Sequence, residues 1–468
     1  MVQLLHNEFA DGSIQAKDVK HVLHPSTNLA DHLSTGPHVL TKAKGVYLWD
    51  DQGNQYLEGM AGLWCTALGY GEEELVRVAS EQMRNLSYSQ LFASKTNEPS
   101  VLLAEKLSNM VPLKDPKIFF GVSGSDANDT QVKLMRYYFN LIGKPDKKKI
   151  ISRERGYHGI TVASGSLTGL PAYHKHFDLP IEGVLHTDAP HYYRGRRGDE
   201  PEAQFVNRLV SNLEKLIHRE GAETIAAFIA EPVAGAGGVI VPPEGYYEKI
   251  QGLLRAHDIL FIDDEVITAF GRLGTTFGAQ AMGIEPTTMS FAKALSSAYL
   301  PMSAVAIPDF MFEAMAAASG EVGAFAHGFT YSGHPVCAAV ALRTLELYEE
   351  RDLYTHAAAM AQPFQAGLRS FADHPLVGEA RGKGMIGAIE LVADKATANS
   401  FEATHGVGAY CAQQAQQQGL IVRALGGDVI AFCPPLIITS NQIGELFDKF
   451  GKALDATLEW TNKQKLNK

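Results

Sequence analysis

Three adjacent carboxylates, Asp263, Asp264 and Glu265, end an apolar run that begins at residue 259. An apolar run that stops abruptly at charged residues is typical of a buried strand whose end faces a site. A carboxylate in that position stabilises a cation, including a protonated ring nitrogen. The pattern therefore predicts that a positively charged group binds at this strand end.

A lysine, Lys293, ends a second apolar run and has the small or apolar neighbours Phe291, Ala292 and Ala294. Burial among such residues disfavours the charged form and lowers the pKa of a lysine from about 10.4. The neutral amine that results is suited to covalent attachment to an aldehyde. The sequence leaves a second interpretation open, a buried ion pair between Lys293 and Asp264.

A turn of small residues, Ser123-Gly124-Ser125, connects a third apolar run to a helical pattern, and Ser123 and Asp126 have the spacing of a capping box. The first N–H groups of a helix and the positive end of its dipole bind phosphate, and small residues let the anion approach. This turn is therefore a candidate phosphate site. The alternative is an ordinary helix start that binds nothing.

The elements that must position these residues are read from apolar runs that alternate with helical stretches. The runs are 117–122, 148–153, 225–232, 259–264, 287–293 and 302–307. Such alternation predicts an α/β fold, a mostly parallel sheet covered by helices. Ligands of these sheets bind outside the carboxyl ends of the strands. The residues expected around one crevice are Ser123-Gly124-Ser125, Tyr157-His158, Glu231, Asp264 and Lys293.

The two chain ends differ from the middle. Residues 377–392 and 419–435 contain short strands separated by glycines, which are typical of a small mixed sheet. Residues 441–460 have helical periodicity, with Ser440 available as N-cap. We expect an N-terminal segment (1–60) that joins a smaller α+β domain, a large domain (61–334) and a C-terminal small domain (335–468).

Composition limits the classes of function. With 468 residues, 46% of them hydrophobic, the chain can bury a large core, and its net charge of −11 argues against nucleic-acid and anionic-membrane partners. The four cysteines are far apart, so no cysteine-based metal site or disulfide is expected. No apolar run is long enough for a membrane span, and the start lacks the layout of a signal peptide. We therefore expect a cytoplasmic protein.

Seven segments resemble the class III aminotransferases, which are fold-type I enzymes dependent on pyridoxal 5′-phosphate. They are FFGVSGSDANDTQVKL, RGYHG, FIAEPVAGAGG, FIDDEVITAFGR, AKALSSAYLPMSAV, HGFTYSGHP and PPLIIT, in the order and at about the spacing of the family. Within the family, the chain resembles the amine:pyruvate, or omega, transaminases. The resemblance implies pyridoxal phosphate as cofactor and no metal.

The resemblance also implies roles for individual cofactor residues. Lys293 is then the lysine that binds the cofactor covalently and moves the proton, and Asp264 is the partner of the pyridine nitrogen. Tyr157 and Val266 are expected on opposite faces of the ring. Glu231 is expected near the phenolic oxygen of the ring, with an internal salt bridge as the alternative.

Four further residues are implied at the phosphate. Gly124 and Ser125 match the phosphate turn. Phe329 and Thr330 match residues that reach the phosphate from the other subunit. The resemblance therefore implies a homodimer with shared active sites, and it leaves open whether dimers pair into tetramers.

The substrate pocket is expected to combine apolar walls with one cation. Leu63, Trp64, Phe92 and Tyr157 form the walls in this interpretation. Arg423 matches a mobile arginine that pairs with a substrate carboxylate and moves away for amines that lack one. A surface salt bridge is the alternative for Arg423.

The chain departs from the family at positions near the cofactor. It has Asp126 where many members have Glu, Ser303 where glycine is usual, and alanine at 269 and 294 where other small or polar residues are common. None of these changes removes a catalytic group. They leave the shape of the pocket open.

The expected reaction is a ping-pong exchange through pyridoxamine phosphate. An amino group passes from a primary amine or omega-amino acid to pyruvate and gives a ketone or aldehyde plus alanine. Three alternatives remain: a 2-oxoglutarate-dependent transaminase with a second pocket arginine, a decarboxylase or aminomutase on the same fold, and a non-catalytic binding protein.

Overall fold

A computed structural model describes residues 9–466 of the chain. Residues 1–8, to which the expectation about a signal peptide partly refers, lie outside the described residues, as do residues 467–468. Within the described range, no helix combines the length and the apolar character that a bilayer crossing requires.

The strands and helices are numbered here in chain order. The strands are β1 Leu40–Lys44, β2 Tyr47–Asp50, β3 Gln55–Glu58, β4 Lys117–Gly121, β5 Lys149–Arg153, β6 Val184–Thr187, β7 Ile225–Ala230, β8 Leu260–Asp264, β9 Thr288–Phe291, β10 Ser303–Ile307, β11 Val377–Lys383, β12 Ile386–Leu391, β13 Leu420–Ile421, β14 Arg423–Leu425 and β15 Val429–Phe432. The helices are α1 Ile14–His21, α2 Leu29–Thr35, α3 Ala61–Trp64, α4 Glu73–Asn85, α5 Glu98–Met110, α6 Gly124–Leu141, α7 Val162–Leu167, α8 Tyr192–Gly195, α9 Glu202–Glu220, α10 Tyr246–Ala256, α11 Gly278–Met282, α12 Asp309–Val322, α13 Pro335–Glu350, α14 Leu353–Arg369, α15 Val407–Gln417 and α16 Ser440–Lys463.

The central sheet contains all six strands expected from the apolar runs. Its seven strands follow the order β4-β10-β9-β8-β7-β5-β6, and β10 runs antiparallel to both of its neighbours while the other pairs are parallel. The seventh strand, β6, was missed because its sequence VLHT is short and half polar. The mostly parallel α/β sheet of the sequence analysis is confirmed.

Helices cover both faces of this sheet because their apolar residues recur at helical spacing. On one face, Val132, Met135 and Phe139 of α6 pack with Ile150 and Ile229 of the sheet. On the other face, α9 contacts β6 and α10 contacts β8. The strands are thus buried from both sides, and their carboxyl ends remain as the edge where a ligand can enter.

Two smaller sheets involve both chain ends. One has the order β1-β2-β3-β13 and the other β11-β12-β15-β14. The predicted stretches 377–392 and 419–435 supply strands to both sheets, since β13 pairs in parallel with β3 of the N-terminal segment. The Leu57 N–H donates to the Gly419 carbonyl at 2.9 Å and the Gly59 N–H to the Ile421 carbonyl at 2.9 Å. The domain boundaries at residues 60 and 334 stay a proposal.

The N-cap of the terminal helix α16 lies one residue before the expected one. Thr439, not Ser440, is the N-cap, since its Oγ1 accepts from the Gln442 N–H at 3.4 Å while the Gln442 side chain accepts from the Thr439 N–H at 3.0 Å. Ser440 therefore occupies the first helical position. Adjacent Thr and Ser residues are equivalent cap candidates in a sequence, and the position of Gln442 decides between them.

Candidate active site

A cavity of about 430 Å³ lies at the carboxyl ends of the central strands and collects ten of the predicted site residues. These residues are Leu63, Trp64, Gly124, Ser125, Tyr157, Glu231, Asp264, Val266, Lys293 and Arg423. They come from positions spread over most of the chain. The fold brings them together because β4, β8 and β9 end at the same edge of the sheet.

Asp264, the last residue of β8, is buried and fixed by three donors. Its Oδ2 accepts from His158 Nδ1 at 2.7 Å and from Asn128 Nδ2 at 2.7 Å, and its Oδ1 accepts from the Val266 N–H at 3.1 Å. Hydrogen bonds to both oxygens fix the plane of the carboxylate. Among the described residues, no ion pair joins Asp264 to Lys293, so the structure does not support the simple ion-pair interpretation.

Lys293 follows β9 and opens a short 3₁₀ turn, Lys293–Leu295. Its backbone has φ +48°, a left-handed conformation that is costly for a residue with a Cβ and is typical of functional sites. Burial lowers the pKa of Lys293, and the nearby Asp264 opposes that shift. The side chain is thereby held as an amine that loses its proton easily.

The turn before α6 forms an anion cradle. Both bonds of the capping box are present: the Asp126 N–H donates to Ser123 Oγ at 3.1 Å, and the Ser123 N–H donates to Asp126 Oδ1 at 3.1 Å. A Cβ at Gly124 would lie 2.9 Å from Val266 Cγ1, so glycine is required for this close approach. The start of α6 and its first N–H groups therefore face the cavity without a side chain from Gly124 in between.

Two departures from the family, Asp126 and Ser303, lie in contact. Ser303 Oγ donates to Asp126 Oδ1 at 2.8 Å, and both side chains are buried. The hydroxyl of β10 thus satisfies the carboxylate that caps α6. The two departures are thus joined by a hydrogen bond, and both bonds of the capping box are retained.

Glu231 is buried and accepts two backbone N–H groups, from Tyr157 at 2.9 Å and from Gly235 at 2.8 Å. Burial raises the pKa of Glu231. Among the described residues it has no salt-bridge partner, which removes the alternative of an internal salt bridge. The Tyr157 ring packs edge-to-face on Tyr173, with centroids 5.6 Å apart.

Arg423, the first residue of β14, lines the cavity with a half-buried side chain. Within residues 9–466 its guanidinium has no hydrogen bond or ion pair, so the surface salt bridge is not formed. Trp64 is buried with φ +66°, whereas Leu63 beside it is 55% exposed. An unpaired cation thus lies in a cavity with apolar walls.

Three predicted residues do not line this cavity. Thr330 is exposed, and its carbonyl accepts from Tyr88 Oη at 2.8 Å. Phe92 is 45% exposed and lies beside Gly328, where a Cβ would come within 3.0 Å of its ring. Phe92 therefore lies beside the segment that contains Phe329 and Thr330. The expectation that it forms a wall of the cavity in its own chain was wrong.

Sequence reasoning assigned no role to several residues of the site. His158 was placed at the crevice without a function, and Asn128 was not considered, yet both hold Asp264. Asn128 lies one helical turn after Gly124, which is a spacing that could have indicated it. Further cavity residues without a prediction are Pro25, Ser26, Gly159, Ile160, Tyr173, Ala236 and Ile267.

The residues present fit pyridoxal phosphate. The turn at Gly124 would hold the phosphate, the Asp264 carboxylate would face a protonated ring nitrogen, and Lys293 would offer its amine to the aldehyde. Tyr157 and Val266 line the same cavity and supply surfaces for a flat ring. The donor set thus matches each end of the cofactor.

Comparison with known proteins gives the same result. The model of the family described as Aminotransferase class-III matches residues 30–454. Gamma-aminobutyrate transaminase 1, mitochondrial, of Oryza sativa subsp. japonica is 50% identical over 424 residues, which are 90% of this chain and 82% of the relative. The omega transaminase from Pseudomonas jessenii in complex with PMP is 50% identical and has a TM-score of 0.94 over 96% of this chain and 99% of its own. A transaminase with L-ala is 47% identical, with a TM-score of 0.88 over 90% of this chain and 99% of its own.

These matches cover nearly the whole chain, and the cavity residues fit the cofactor that the family uses. The chain therefore belongs to the class III aminotransferases, enzymes that use pyridoxal 5′-phosphate to move amino groups.

Proposed function

We propose that the chain transfers the amino group of a primary amine or omega-amino acid to pyruvate and releases alanine. The observation that carries this proposal is Arg423, an arginine that lines the cavity without a carboxylate partner among the described residues. A guanidinium binds a carboxylate through two parallel hydrogen bonds. Pyruvate offers that carboxylate, and the apolar walls accept the remainder of an amine.

Bound pyridoxal phosphate supplies an electron sink and carries the amino group between the two substrates. His158 and Asn128 orient the Asp264 carboxylate, which would pair with the ring nitrogen. Lys293, whose pKa burial lowers, takes a proton from the substrate carbon next to the nitrogen and returns it. Because the ketone or aldehyde formed from the donor must leave before the keto acid enters, we expect ping-pong kinetics.

The relatives support an omega-amino acid among the donors and alanine as a product. The rice relative is named a gamma-aminobutyrate transaminase, and one solved relative is a transaminase with L-ala. If gamma-aminobutyrate is a donor here, its carboxylate needs a cation as well. Arg423 would then serve both half-reactions, whereas a neutral amine would use it only in the second.

A 2-oxoglutarate-dependent transaminase is less well supported. Its acceptor has two carboxylates and calls for a second cation in the pocket. In residues 9–466, the lysine and arginine side chains that line the cavity are Lys293 and Arg423 alone. A decarboxylase or aminomutase would use the same cofactor residues, but the family match favours transamination.

The test is an absorbance titration of the holoenzyme. Amines, including gamma-aminobutyrate, beta-alanine and 1-phenylethylamine, are added first, followed by pyruvate or by 2-oxoglutarate. We expect the absorbance of the aldehyde form to fall with a donor and to return with pyruvate. Return with 2-oxoglutarate but not with pyruvate would contradict the proposed acceptor.

Arg423→Ala separates the two uses of the arginine. We expect kcat/KM to fall at least tenfold for pyruvate, since a lost charge-assisted hydrogen-bonded pair costs about 1.5–3 kcal/mol. The kcat/KM for 1-phenylethylamine should change little. The exposed Arg84→Ala is the matched control. An equal loss for both substrates would mean that Arg423 is structural.

We also propose a homodimer in which Phe329 and Thr330 complete the cavity of the partner. Their position outside the cavity of their own chain supports this arrangement. The rice relative carries "mitochondrial" in its name, whereas a cytoplasmic location for this chain stays a prediction.

A further inference from the structure

The segment before the first strand is not held by an apolar core. Helix α1 buries no residue, and His32 is the one residue that α2 buries. Between the two helices, Val22 and Leu23 are 51% and 80% exposed. Within the chain, polar contacts join the two helices instead.

A cluster of Asp18, His24 and His32 lies between these helices. His24 Nε2 is 2.8 Å from Asp18 Oδ1 and 3.0 Å from Oδ2, and His32 Nε2 is 3.0 Å from the same Oδ1. The two imidazole rings are 4.2 Å apart. Two ring nitrogens and one carboxylate therefore converge on one point, and the three ligand atoms lie within 4.8 Å of one another.

We propose that Asp18, His24 and His32 bind a divalent transition-metal ion of the zinc type. Two imidazole nitrogens and a carboxylate oxygen are a common ligand set for Zn²⁺. In a tetrahedral site with ligand bonds of about 2.0–2.2 Å, neighbouring ligand atoms are about 3.3 Å apart. The observed spacings of 2.8 and 3.0 Å need to open by only a few tenths of an ångström.

Burial in this cluster also favours a metal ion over solvent. His32 is 8% exposed and Asp18 17% exposed, while His24 is 28% exposed and leaves a side from which an ion can enter. A water molecule can take the fourth position on that side. The cluster formed by Glu214, His218 and His257 is more exposed and provides a comparison on the same chain.

The ion would act on the active site through the chain that follows His24. Pro25 and Ser26, the next two residues, line the cofactor cavity. Fixing His24 to Asp18 and His32 therefore fixes the N-terminal segment against the cavity wall. The role is structural, and the cavity keeps its cofactor residues without the ion.

Metal content tests the proposal directly. The untagged holoenzyme is treated with chelator, dialysed against ZnCl₂ and measured by mass spectrometry of zinc and by calorimetry. We expect one tightly bound Zn²⁺ per chain in the wild type and in His218→Ala, and its loss in His24→Ala and Asp18→Asn. Equal zinc content in all four proteins, or loss in His218→Ala alone, would overturn the assignment.

Proteolysis gives a second readout that does not depend on activity. Lys17 and Lys20 are exposed and offer trypsin sites in α1. If cleavage follows the open population of the segment, zinc at about 100 times its Kd slows it about 100-fold. Asp18→Asn, which keeps the shape of the side chain, should abolish the protection while cofactor absorbance stays unchanged. Protection that does not require zinc would show a hydrogen-bonded cluster instead and refute the metal site.

Discussion

The carboxylate of Asp264 depends on two residues that need not touch the substrate, His158 and Asn128. We expect His158→Ala to lower kcat by about 10–100-fold with the cofactor still bound, because the lost hydrogen bond to a charged group is worth about 1.5–3 kcal/mol. Single-turnover absorbance measures the effect. His186→Ala removes a neighbouring imidazole that does not contact Asp264, and it should leave the rate unchanged.

Asn128→Ala tests whether the two donors act together. Both bind the same oxygen, Oδ2 of Asp264, each at 2.7 Å. Side chains in one network give non-additive effects. We therefore expect the loss of transition-state stabilisation, calculated from kcat, in the double variant His158→Ala/Asn128→Ala to differ from the sum of the two single losses. Strict additivity would show that each residue acts elsewhere.

The lowered pKa of Lys293 predicts its reactivity in the apoenzyme. Burial lowers this pKa, so at pH values between the lowered value and the ordinary value of about 10.4, more of Lys293 than of an exposed lysine is neutral. Labelling with an amine-reactive reagent should therefore begin at lower pH at Lys293 than at other lysines. The fast-labelled site should be missing in Lys293→Ala, which should also lose turnover. Labelling of Lys293 only at high pH would contradict the prediction.

The sequence was sufficient for Lys293 and Asp264 because each ends an apolar run, a local pattern. His158 and Asn128 are separated from Asp264 by 106 and 136 positions. Their contacts exist only because α6 and the loop after β5 lie against β8. A single sequence carries no local signal for such a meeting.

Helix α6 is coupled to strand β10 through Asp126 and Ser303. We expect Ser303→Gly to lower the free energy of unfolding by about 1 kcal/mol, because it removes a buried hydrogen bond. Asp126→Glu should also lower the free energy of unfolding, because the carboxylate is tightly enclosed and a longer side chain does not fit. Even a Cβ added at Gly121 would lie only 2.4 Å from Asp126 Oδ1. The double variant should lose less stability than the sum of the two single losses, because glycine at 303 makes space for the longer acid at 126. Urea unfolding measures all three variants, and additive losses would refute the compensation.

Strand β8 carries a second buried acid, Asp263, whose two carboxyl oxygens have no hydrogen-bond partner among the described residues. Burial, followed by repulsion from Glu265 and Asp264, raises its pKa well above the ordinary value. A group whose pKa rises on folding contributes stability below its unfolded pKa of about 3.9 and loses it as pH rises toward the folded pKa. Asp263→Asn has no proton to lose at this position. The difference in thermal midpoint, variant minus wild type, should therefore increase as pH rises from about 4 to about 8. A gain that shrinks over this range would mean that Asp263 is ionised and paired.

The strand that sequence reasoning missed has a weak local signal, because β6 is only four residues long and lies at the edge of the sheet. The sequence also carries no signal for the pairing of β13, whose two residues lie beside the distant β3. Runs of continuous apolar residues, as in β7, were found because both faces of the sheet are covered. The reversed direction of β10 depends on its connection through space and not on its composition.

At the scale of the whole molecule, we propose that one chain holds an incomplete site. Tyr88, Phe92 and Tyr331 are exposed aromatic residues near Thr330, with exposed fractions of 43%, 45% and 58%. Exposed apolar residues of this size in one region indicate a protein–protein interface. A second copy that covers this region would receive Phe329 and Thr330 of the first chain at its cavity wall. Since a twofold interface is reciprocal, it would also place its own Phe329 and Thr330 at the cavity wall of the first chain.

Complementation between two inactive variants tests this arrangement. Thr330→Asp places a negative charge where the partner's phosphate is expected, and Lys293→Ala removes the cofactor lysine, so neither homodimer should be active. In a mixed dimer, the site with an intact Lys293 receives a wild-type Thr330 from the other subunit and works. Random mixing makes about half of the dimers mixed, each with one intact site, so about a quarter of wild-type activity should return. If Thr330 acted within its own chain, every site would carry one defect and co-expression would restore nothing.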